Sequence, residues 1–469
     1  MVVGEISQER DLVIIGGGPG GYSAAVRAAQ LGLSVTLIER DKLGGVCLNK
    51  GCIPSKVFTY AAKKKAEMSH LQQIGLPAVE GTFQLDQLIA YKSKVTEQLR
   101  KGVEALCKAN KVEVIQGKAG FTAENKIGVE YGHQFDVYVF KQAIIASGSS
   151  PVLPGGITET GKRILLSHNI FSVEEMPTHL LVYGSSYISL EVASSFHALG
   201  AKVTVLWEGA ADFSFDESVN KELARLFKKK KIKLIKQAAI QSAEETAAGV
   251  HVTLQAGGKE EVLEGSHLFV EGSRLPNTKE LGIGRFAIEQ TEKGFIRVNK
   301  DMQTSLPSVY AIGDVTEGPL LAVKAIKQGK AAAEAIAGER TEVDLTCIPT
   351  IVHTIPPIAS VGLTEQEARE RVGGVRTSKF NLGGNGYAAI TGKRDGFVKV
   401  ISDASTDLIL GIHMIGEGAV ELSSHFVQLL EMAAKEEDAK FPLYAHPSYN
   451  EGLLEAVEGL VGQAVHAVT

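Results

Sequence analysis

The chain has 469 residues, of which 44% are hydrophobic and 22% are charged, and its formal net charge is −5 at pH 7. This length suits about three globular domains, and the slightly acidic balance gives no electrostatic reason to expect a nucleic acid as partner. The first ten residues are too polar for a secretory signal and no apolar stretch is long enough to cross a bilayer, so we expect a cytoplasmic protein without a membrane partner.

A dinucleotide-binding pattern opens the chain. The sequence predicts, in order, a strand over 11–15, a GGGPGG turn at 16–21, a helix over 22–31 and a second strand over 34–38. In such a turn Gly16 permits the sharp bend, Gly18 lets the backbone approach a pyrophosphate, and Gly21 allows the helix to pack closely. Glu39 ends the second strand about twenty residues further on, where a carboxylate can bind a ribose diol.

Two of the four cysteines follow this unit directly. Cys47 and Cys52 lie five positions apart in a chain without a secretory signal, and cytosolic cysteine pairs are more often catalytic than structural. A zinc site would need further cysteine or histidine ligands at short spacing, whereas Cys107 and Cys347 are far away. We therefore expect a redox-active disulfide and no metal site, with Cys107 and Cys347 as small buried side chains.

The chain then repeats its opening architecture. The second unit is predicted to contain a strand over 179–183, a turn over 184–189, a helix over 190–199 and a strand over 202–207. Two such units flanking a redox disulfide imply two dinucleotides, one carrying electrons as a flavin and the other as a soluble hydride carrier.

Further motifs complete a recognisable pattern. The segment around Cys47 and Cys52, the strand that ends in Gly313 and Asp314, and the AHPSYNE motif at 445–451 resemble, in order and spacing, the pyridine nucleotide-disulfide oxidoreductases, and among them the dihydrolipoyl dehydrogenases. The resemblance covers essentially the whole chain. It implies an α/β fold with two Rossmann-like dinucleotide-binding domains, for FAD and NAD, plus a C-terminal α+β dimerisation domain in a homodimer.

The resemblance also implies roles for individual residues. Cys47 is the thiol that attacks the substrate, and Cys52 is the thiol that faces the flavin. Lys56 lies beside the flavin, paired with Glu191, and Tyr187 covers the flavin where nicotinamide enters. The expected cofactor-binding residues are Gly16, Gly18, Gly21, Glu39, Lys56, Gly148, Gly184, Tyr187, Glu191, Glu208 and Asp314.

His446 and Glu451 form the expected acid–base pair. An exchanging thiol reacts as its thiolate and needs a base with a pKa near neutrality, which a histidine supplies. Glu451 can hold one imidazole nitrogen of His446 and so fix the tautomer that presents the other. In the family this histidine comes from the partner subunit, so we expect activity to require the dimer.

The expected activity is oxidation of dihydrolipoyl groups, carried by the acyltransferase component of a 2-oxo acid dehydrogenase complex, through the disulfide and FAD to NAD. Ser186 and Ser189 stand where the family usually has glycine, and Trp207 takes the expected carboxylate position ahead of Glu208. A flavoprotein disulfide reductase or diaphorase with an impaired or altered NAD site therefore stays an alternative. A non-enzymatic complex component is a second alternative, which the intact cysteine pair disfavours.

The positions of the motifs divide the chain into segments. We expect an FAD-binding first segment at 1–149, an NAD-binding domain at 150–274, an FAD-binding or central segment at 275–345 and an interface domain at 346–469. The FAD-binding domain is then discontinuous, with the NAD-binding domain inserted into it.

Overall fold

A computed structural model describes residues 7–77, 83–209 and 213–467. The elements up to residue 145 are β1 (Ser7–Ile15), α1 (Pro19–Gln30), β2 (Val35–Glu39), α2 (Gly45–Asn49), α3 (Cys52–Leu71), α4 (Leu85–Ala109), β3 (Glu113–Gln116), β4 (Lys118–Ala123), β5 (Lys126–Tyr131) and β6 (Gln134–Ile145). Helix α1 begins three residues before the predicted helix, because proline is tolerated in the first helical turn, where its missing N–H would have no partner.

The next elements are β7 (Ser149–Val152), β8 (Ile164–Leu165), β9 (His179–Tyr183), α5 (Tyr187–Leu199), β10 (Lys202–Leu206), α6 (Glu217–Lys229), β11 (Lys233–Ile235), β12 (Ala238–Glu245), β13 (Val250–Ala256), β14 (Lys259–Gly265), β15 (His267–Val270), β16 (Ser273–Pro276), β17 (Val309–Ala311) and α7 (Ala322–Ile336). The remaining ones are β18 (Thr350–Val352), β19 (Ile358–Gly362), α8 (Glu365–Arg371), β20 (Val375–Asn381), α9 (Gly386–Ile390), β21 (Phe397–Asp403), β22 (Ile409–Ile415), α10 (Ala419–Glu431), α11 (Glu436–Lys440) and α12 (Glu451–Gly459).

The first sheet has the strand order β3-β2-β1-β6-β5-β4, and β17 also pairs with β6. Neighbouring strands are parallel in the part of the sheet formed by β3, β2, β1, β6 and β17. Strands β5 and β4 extend the sheet beyond β6 with antiparallel pairing. Leu12, Val13 and Ile14 of β1 are fully buried, as expected for a central parallel strand covered on both faces. The carboxyl ends of β1, β2 and β17 therefore meet at one edge of this sheet.

The second parallel sheet has the order β11-β10-β9-β15-β8. Strand β10 ends at Leu206, one residue before the predicted end, and Trp207 lies buried in the hydrophobic core beside Phe213, with 5.1 Å between ring centroids. Trp207 is therefore a core residue of this unit. Glu208, directly after it, is exposed.

The C-terminal unit is an antiparallel sheet in the order β18-β19-β22-β21-β20, with α10 and α12 packed against it. Its own core includes Phe380, Met414 and Phe426. Helix α3, which carries Cys52, packs against α5 of the second parallel unit, where the Phe58 and Phe196 rings stack at 5.6 Å. None of the helices within the described ranges combines the length and the apolar character that crossing a lipid bilayer requires.

Candidate active site

The first glycine-rich turn leaves space for a ligand above Gly18. Gly16 has φ 105°, and a Cβ there would stand 2.3 Å from the carbonyl oxygen of Ala146, so the chain itself requires glycine at this position. A Cβ on Gly21 would meet the Gly16 oxygen at 1.8 Å, whereas one on Gly18 would meet no atom nearer than Gly45, at 4.0 Å. The open space at the N-terminus of α1 fits a pyrophosphate.

Glu39 stands at the same edge of the sheet. Its Oε2 accepts the Gly17 N–H at 2.7 Å, and its Oε1 accepts the Asp41 N–H at 2.8 Å. An ionised carboxylate offers about four acceptor positions, so two backbone bonds hold Glu39 in place and leave it able to accept from ribose hydroxyls. The turn and this carboxylate together fit the adenosine half of FAD.

Asp314 extends this site from the other side. It follows the fully buried strand β17 in a short 3₁₀ turn, and the Ser149 hydroxyl donates to its Oδ2 at 3.1 Å. Gly148, next to Ser149, has φ 70°, and a Cβ there would have open space around it. The two segments form a polar rim that fits the ribityl chain of a flavin.

Lys324 is a charged residue near this rim that the sequence analysis missed. Although fully buried, its Nζ donates to the carbonyl oxygens of Thr316 and Glu317, at 3.1 and 2.6 Å. Burial lowers the pKa of Lys324 to about 8, with Asp314 acting in the opposite direction. Lys324 therefore holds the loop that follows Asp314.

The two cysteines lie on consecutive helices. Cys47 belongs to α2 and Cys52 begins α3. Both are free thiols, and both are partly buried. The neighbouring Cys47 thiol and the Lys56 charge, against the effect of burial, lower the pKa of Cys52, whereas Cys52 and burial raise the pKa of Cys47. Cys52 is therefore the more acidic thiol of the pair.

Lys56 lies four residues after Cys52 on α3 and pairs with Glu191 of α5. Its Nζ is 2.8 and 2.9 Å from the two carboxylate oxygens, and Glu191 is only 3% exposed. The His353 N–H also donates to Glu191, at 2.9 Å. This contact, which the sequence analysis missed, joins the residue after β18 to the site, so three units of the fold meet at one carboxylate.

Tyr187 is the first residue of α5, the helix that also carries Glu191. Its hydroxyl donates to the Leu320 carbonyl oxygen at 3.4 Å. Burial raises the pKa of Tyr187 well above its usual range, and the negative charges of Cys52, Glu191 and Asp314 act in the same direction. Tyr187 therefore lies within electrostatic reach of the cysteine pair, Glu191 and Asp314.

His446 and Glu451 are in direct contact. His446 Nδ1 and Glu451 Oε1 are 2.7 Å apart, and the Ser448 N–H donates to Oε2 at 2.8 Å. Burial raises the pKa of Glu451, but these bonds outweigh that effect and lower it overall. The His446 side chain is 80% exposed, so its second nitrogen projects from the C-terminal unit toward solvent.

The second glycine-rich turn differs from the first. Gly184 follows β9 with φ 147°, Ser186 caps α5 by accepting the Ile188 N–H, and Ser189 is buried. The Glu271 carboxylate, missed by the sequence analysis, accepts bonds from both serines. The strand, turn and helix have the form of a dinucleotide-binding unit, and a carboxylate of the protein stands at the N-terminus of its helix.

Family models match both parts of the chain. Residues 10–329 match the pyridine nucleotide-disulphide oxidoreductase family, and residues 348–457 match the dimerisation domain of the same family. The chain belongs to this family. The predicted fold class is confirmed, and the dimerisation domain supports a homodimer.

Similar proteins agree with the family match. Dihydrolipoyl dehydrogenases of Staphylococcus aureus and Bacillus subtilis (strain 168) are each 38% identical to this chain, and each alignment covers 100% of both proteins. The crystal structure of LpdA from Mycobacterium tuberculosis superposes with a TM-score of 0.90 at 27% identity, over 97% of this chain and 99% of LpdA. The flavoprotein disulfide reductase RclA from Escherichia coli, 24% identical with a TM-score of 0.85, shares the fold over 96% of this chain and 99% of its own.

The resemblance to dihydrolipoyl dehydrogenases is thereby confirmed, and the predicted cofactors FAD and NAD are those of these enzymes.

Proposed function

We infer that the protein oxidises dihydrolipoyl groups to lipoyl groups and passes the electrons through Cys47, Cys52 and FAD to NAD. The observation that carries this inference is the placement of Cys47 and Cys52 on consecutive helices, one helical turn before the ion pair of Lys56 and Glu191. Full-length relatives at 38% identity carry the name of this activity. They do not favour the two alternatives, an altered reductase and a non-enzymatic component.

The exchange of disulfides starts from the oxidised pair. One substrate thiolate attacks Cys47 Sγ, which forms a mixed disulfide, breaks the Cys47–Cys52 bond and releases Cys52 as thiolate. The second substrate thiol then attacks the substrate sulfur of the mixed disulfide, which closes the lipoyl ring and releases Cys47. His446 accepts the proton of the first substrate thiol and Cys47 takes up the proton of the second, so the pair ends as a Cys47 thiol beside a Cys52 thiolate.

The chain's residues prepare the site for the cofactors. Bound FAD supplies a two-electron carrier between the dithiol and NAD. Lys56 is held in place by its ion pair with Glu191. Its positive charge lies near the Cys52 sulfur and stabilises the thiolate form of this residue. Tyr187 would shield the face of a bound flavin at which the nicotinamide of NAD is expected to enter.

Steady-state turnover tests this function. The FAD-loaded protein is supplied with dihydrolipoamide and with NAD, NADP or a quinone as acceptor. We expect NAD reduction that Cys47→Ser abolishes and that Cys347→Ala, a change at a cysteine outside the site, preserves. NAD reduction that survives Cys47→Ser would contradict the proposal, and quinone reduction with inert NAD would favour the altered reductase.

We propose that His446 serves Cys47 of the other protomer. The exposed imidazole and the dimerisation domain support this arrangement. Hybrid dimers test it: when inactive Cys47→Ser and His446→Gln protomers are mixed, each hybrid dimer contains one complete site if the histidine acts across the interface. About a quarter of the wild-type activity should then return after random exchange. No recovery, with hybrid formation verified by differently tagged protomers, would place His446 within its own subunit's site.

The natural substrate that we propose is the dihydrolipoyl group of an acyltransferase in a 2-oxo acid dehydrogenase complex. A purified lipoylated domain should reduce the flavin faster than free dihydrolipoamide at equal concentration. We also propose the division of the chain at 149, 274 and 345, and a location in the cytoplasm, which the free thiols of Cys107 and Cys347 suit.

A further inference from the structure

A carboxylate of the chain lies at the second dinucleotide turn. Glu271 directly follows β15, and Gly184 directly follows β9. These strands are parallel neighbours, with Val270 opposite Tyr183, and the Glu271 N–H donates to the Tyr183 oxygen at 2.9 Å. Both residues therefore stand at the carboxyl edge of the sheet, which is the edge where open α/β sheets bind their ligands.

One oxygen of Glu271 accepts two hydrogen bonds from the turn. Oε2 accepts the Ser186 N–H at 3.2 Å and the Ser189 hydroxyl at 2.7 Å. It also lies 2.3 Å from the position that a Cβ on Gly184 would take. The Ser186 amide belongs to the N-terminus of α5, where this fold binds the pyrophosphate of a dinucleotide. The carboxylate thus occupies an anion-binding position.

Ser189, which stands where the family usually has glycine, contacts the Glu271 carboxylate. Its side chain is fully buried, and its hydroxyl donates to Glu271. A glycine at this position would offer no such donor, and a buried hydroxyl without a partner is costly. Ser189 and Glu271 therefore form one structural unit, in which the serine positions the carboxylate over the helix N-terminus.

We propose that Glu271 is a specificity-determining residue that competes with the pyrophosphate of NAD for the N-terminus of α5. This inference deepens the proposed function, because it rests on NAD as the electron acceptor. Two anions cannot share the Ser186 N–H, since like charges at contact distance repel strongly and each needs this donor. NAD binds only when the Glu271 side chain turns away, and this displacement weakens the affinity for every ligand that carries a diphosphate.

Calorimetric titration of the FAD-loaded protein tests the competition without any turnover. Wild type, Glu271→Gln and Glu264→Gln are each titrated with NAD, ADP and adenosine. Glu264 is the matched control, because its exposed side chain lies on β14 of the same unit and its change removes the same charge. Glutamine at 271 keeps an oxygen that can accept from Ser189 but removes the negative charge.

We expect Glu271→Gln to lower the Kd for NAD and ADP about tenfold, which corresponds to about 1.4 kcal/mol, and to leave adenosine within about twofold. Glu264→Gln should bind all three ligands as wild type does. Equal affinity of wild type and Glu271→Gln for NAD overturns the proposal, as does an equal gain for adenosine or a failure of both proteins to bind NAD. Flavin reduction by dihydrolipoamide in the absence of NAD tests the proposed function separately, so the two failures are distinguishable.

Discussion

The buried ion pair of Lys399 and Asp216 gives a prediction about stability. Lys399 on β21 contacts the Asp216 carboxylate at 2.8 and 2.9 Å, and their side chains are 5% and 1% exposed. Asp216 caps α6 of the second parallel unit, so this pair fixes that unit to the C-terminal sheet. We therefore expect Lys399→Met, which keeps the volume but removes the charge, to leave a buried carboxylate without its cation.

The size of the effect follows from the environment of Asp216. Burial raises its pKa, but Lys399 and the N–H groups of Glu365 and Ser218 outweigh burial and bring it to about 2, from an ordinary value of 3.8. That difference represents about 2.5 kcal/mol of stabilisation, present above pH 3.8 and lost as pH falls through about 2. Breaking a buried pair costs about 3–5 kcal/mol, and we expect about 3 because the two N–H donors remain.

Thermal unfolding of the FAD-loaded protein, followed by circular dichroism, measures this cost. Lys379→Met is the control, because Lys379 lies opposite Lys399 on the neighbouring strand β20 and is exposed. Lys399→Met should unfold at a clearly lower temperature at pH 7, and the gap should narrow at acidic pH, where Asp216 of the variant takes up a proton. Equal unfolding temperatures for the two variants at pH 7 would refute the reasoning.

Further predictions concern the active site. Cys47→Ala should raise the pKa of Cys52, because it removes the largest influence that lowers it; the ultraviolet thiolate absorbance of the reduced protein should then disappear at a higher pH in the variant than in wild type, and an unchanged midpoint would contradict the assignment. Lys56→Met should lower the free energy of unfolding by about 2 kcal/mol, since it leaves a buried Glu191 without its cation, while the 35% exposure of Lys56 and the remaining His353 N–H reduce the cost; thermal unfolding measures this, and an unaltered midpoint would count against it. Glu451→Gln should slow dihydrolipoamide oxidation about tenfold or more with normal flavin content, whereas wild-type turnover would show that His446 needs no carboxylate.

The glycine-rich turns show what local sequence can predict. Strand, turn and helix were predictable at both fingerprints, because buried parallel strands form continuous apolar runs and tight turns require glycine. Helix α5 nevertheless begins at Tyr187, three residues before the predicted start. The apolar periodicity points to the buried face from Leu190 onward, but the hydroxyl cap at Ser186 determines where the helix begins.

The contacts that cross between units were beyond local sequence reasoning. Glu271 is 82 residues from Ser189, and His353 is 162 residues from Glu191. Only the strand order, with β15 beside β9, brings Glu271 to the second turn. The sequence did contain one signal for Glu271. A carboxylate directly after a buried apolar run marks the ligand-binding edge of a parallel sheet. His353 contributes a backbone N–H, for which side-chain identity gives no signal.

Trp207 illustrates a different limit. It stands where the second fingerprint is expected to have its carboxylate, and sequence alone could not decide whether this side chain contacts a ligand or belongs to the core. The ring packs against Phe213 inside the core, because burying a large aromatic side chain is strongly favourable.

Anaerobic mixing of the FAD-loaded protein with dihydrolipoamide, in the absence of NAD, tests the central claim most directly. Stopped-flow absorbance follows the flavin in wild type, Cys47→Ser and Cys347→Ala. We expect a rapid change in the flavin spectrum in wild type and Cys347→Ala and none in Cys47→Ser. A flavin that responds to dihydrolipoamide at the wild-type rate in Cys47→Ser would contradict it, because the electrons would then bypass the cysteine pair.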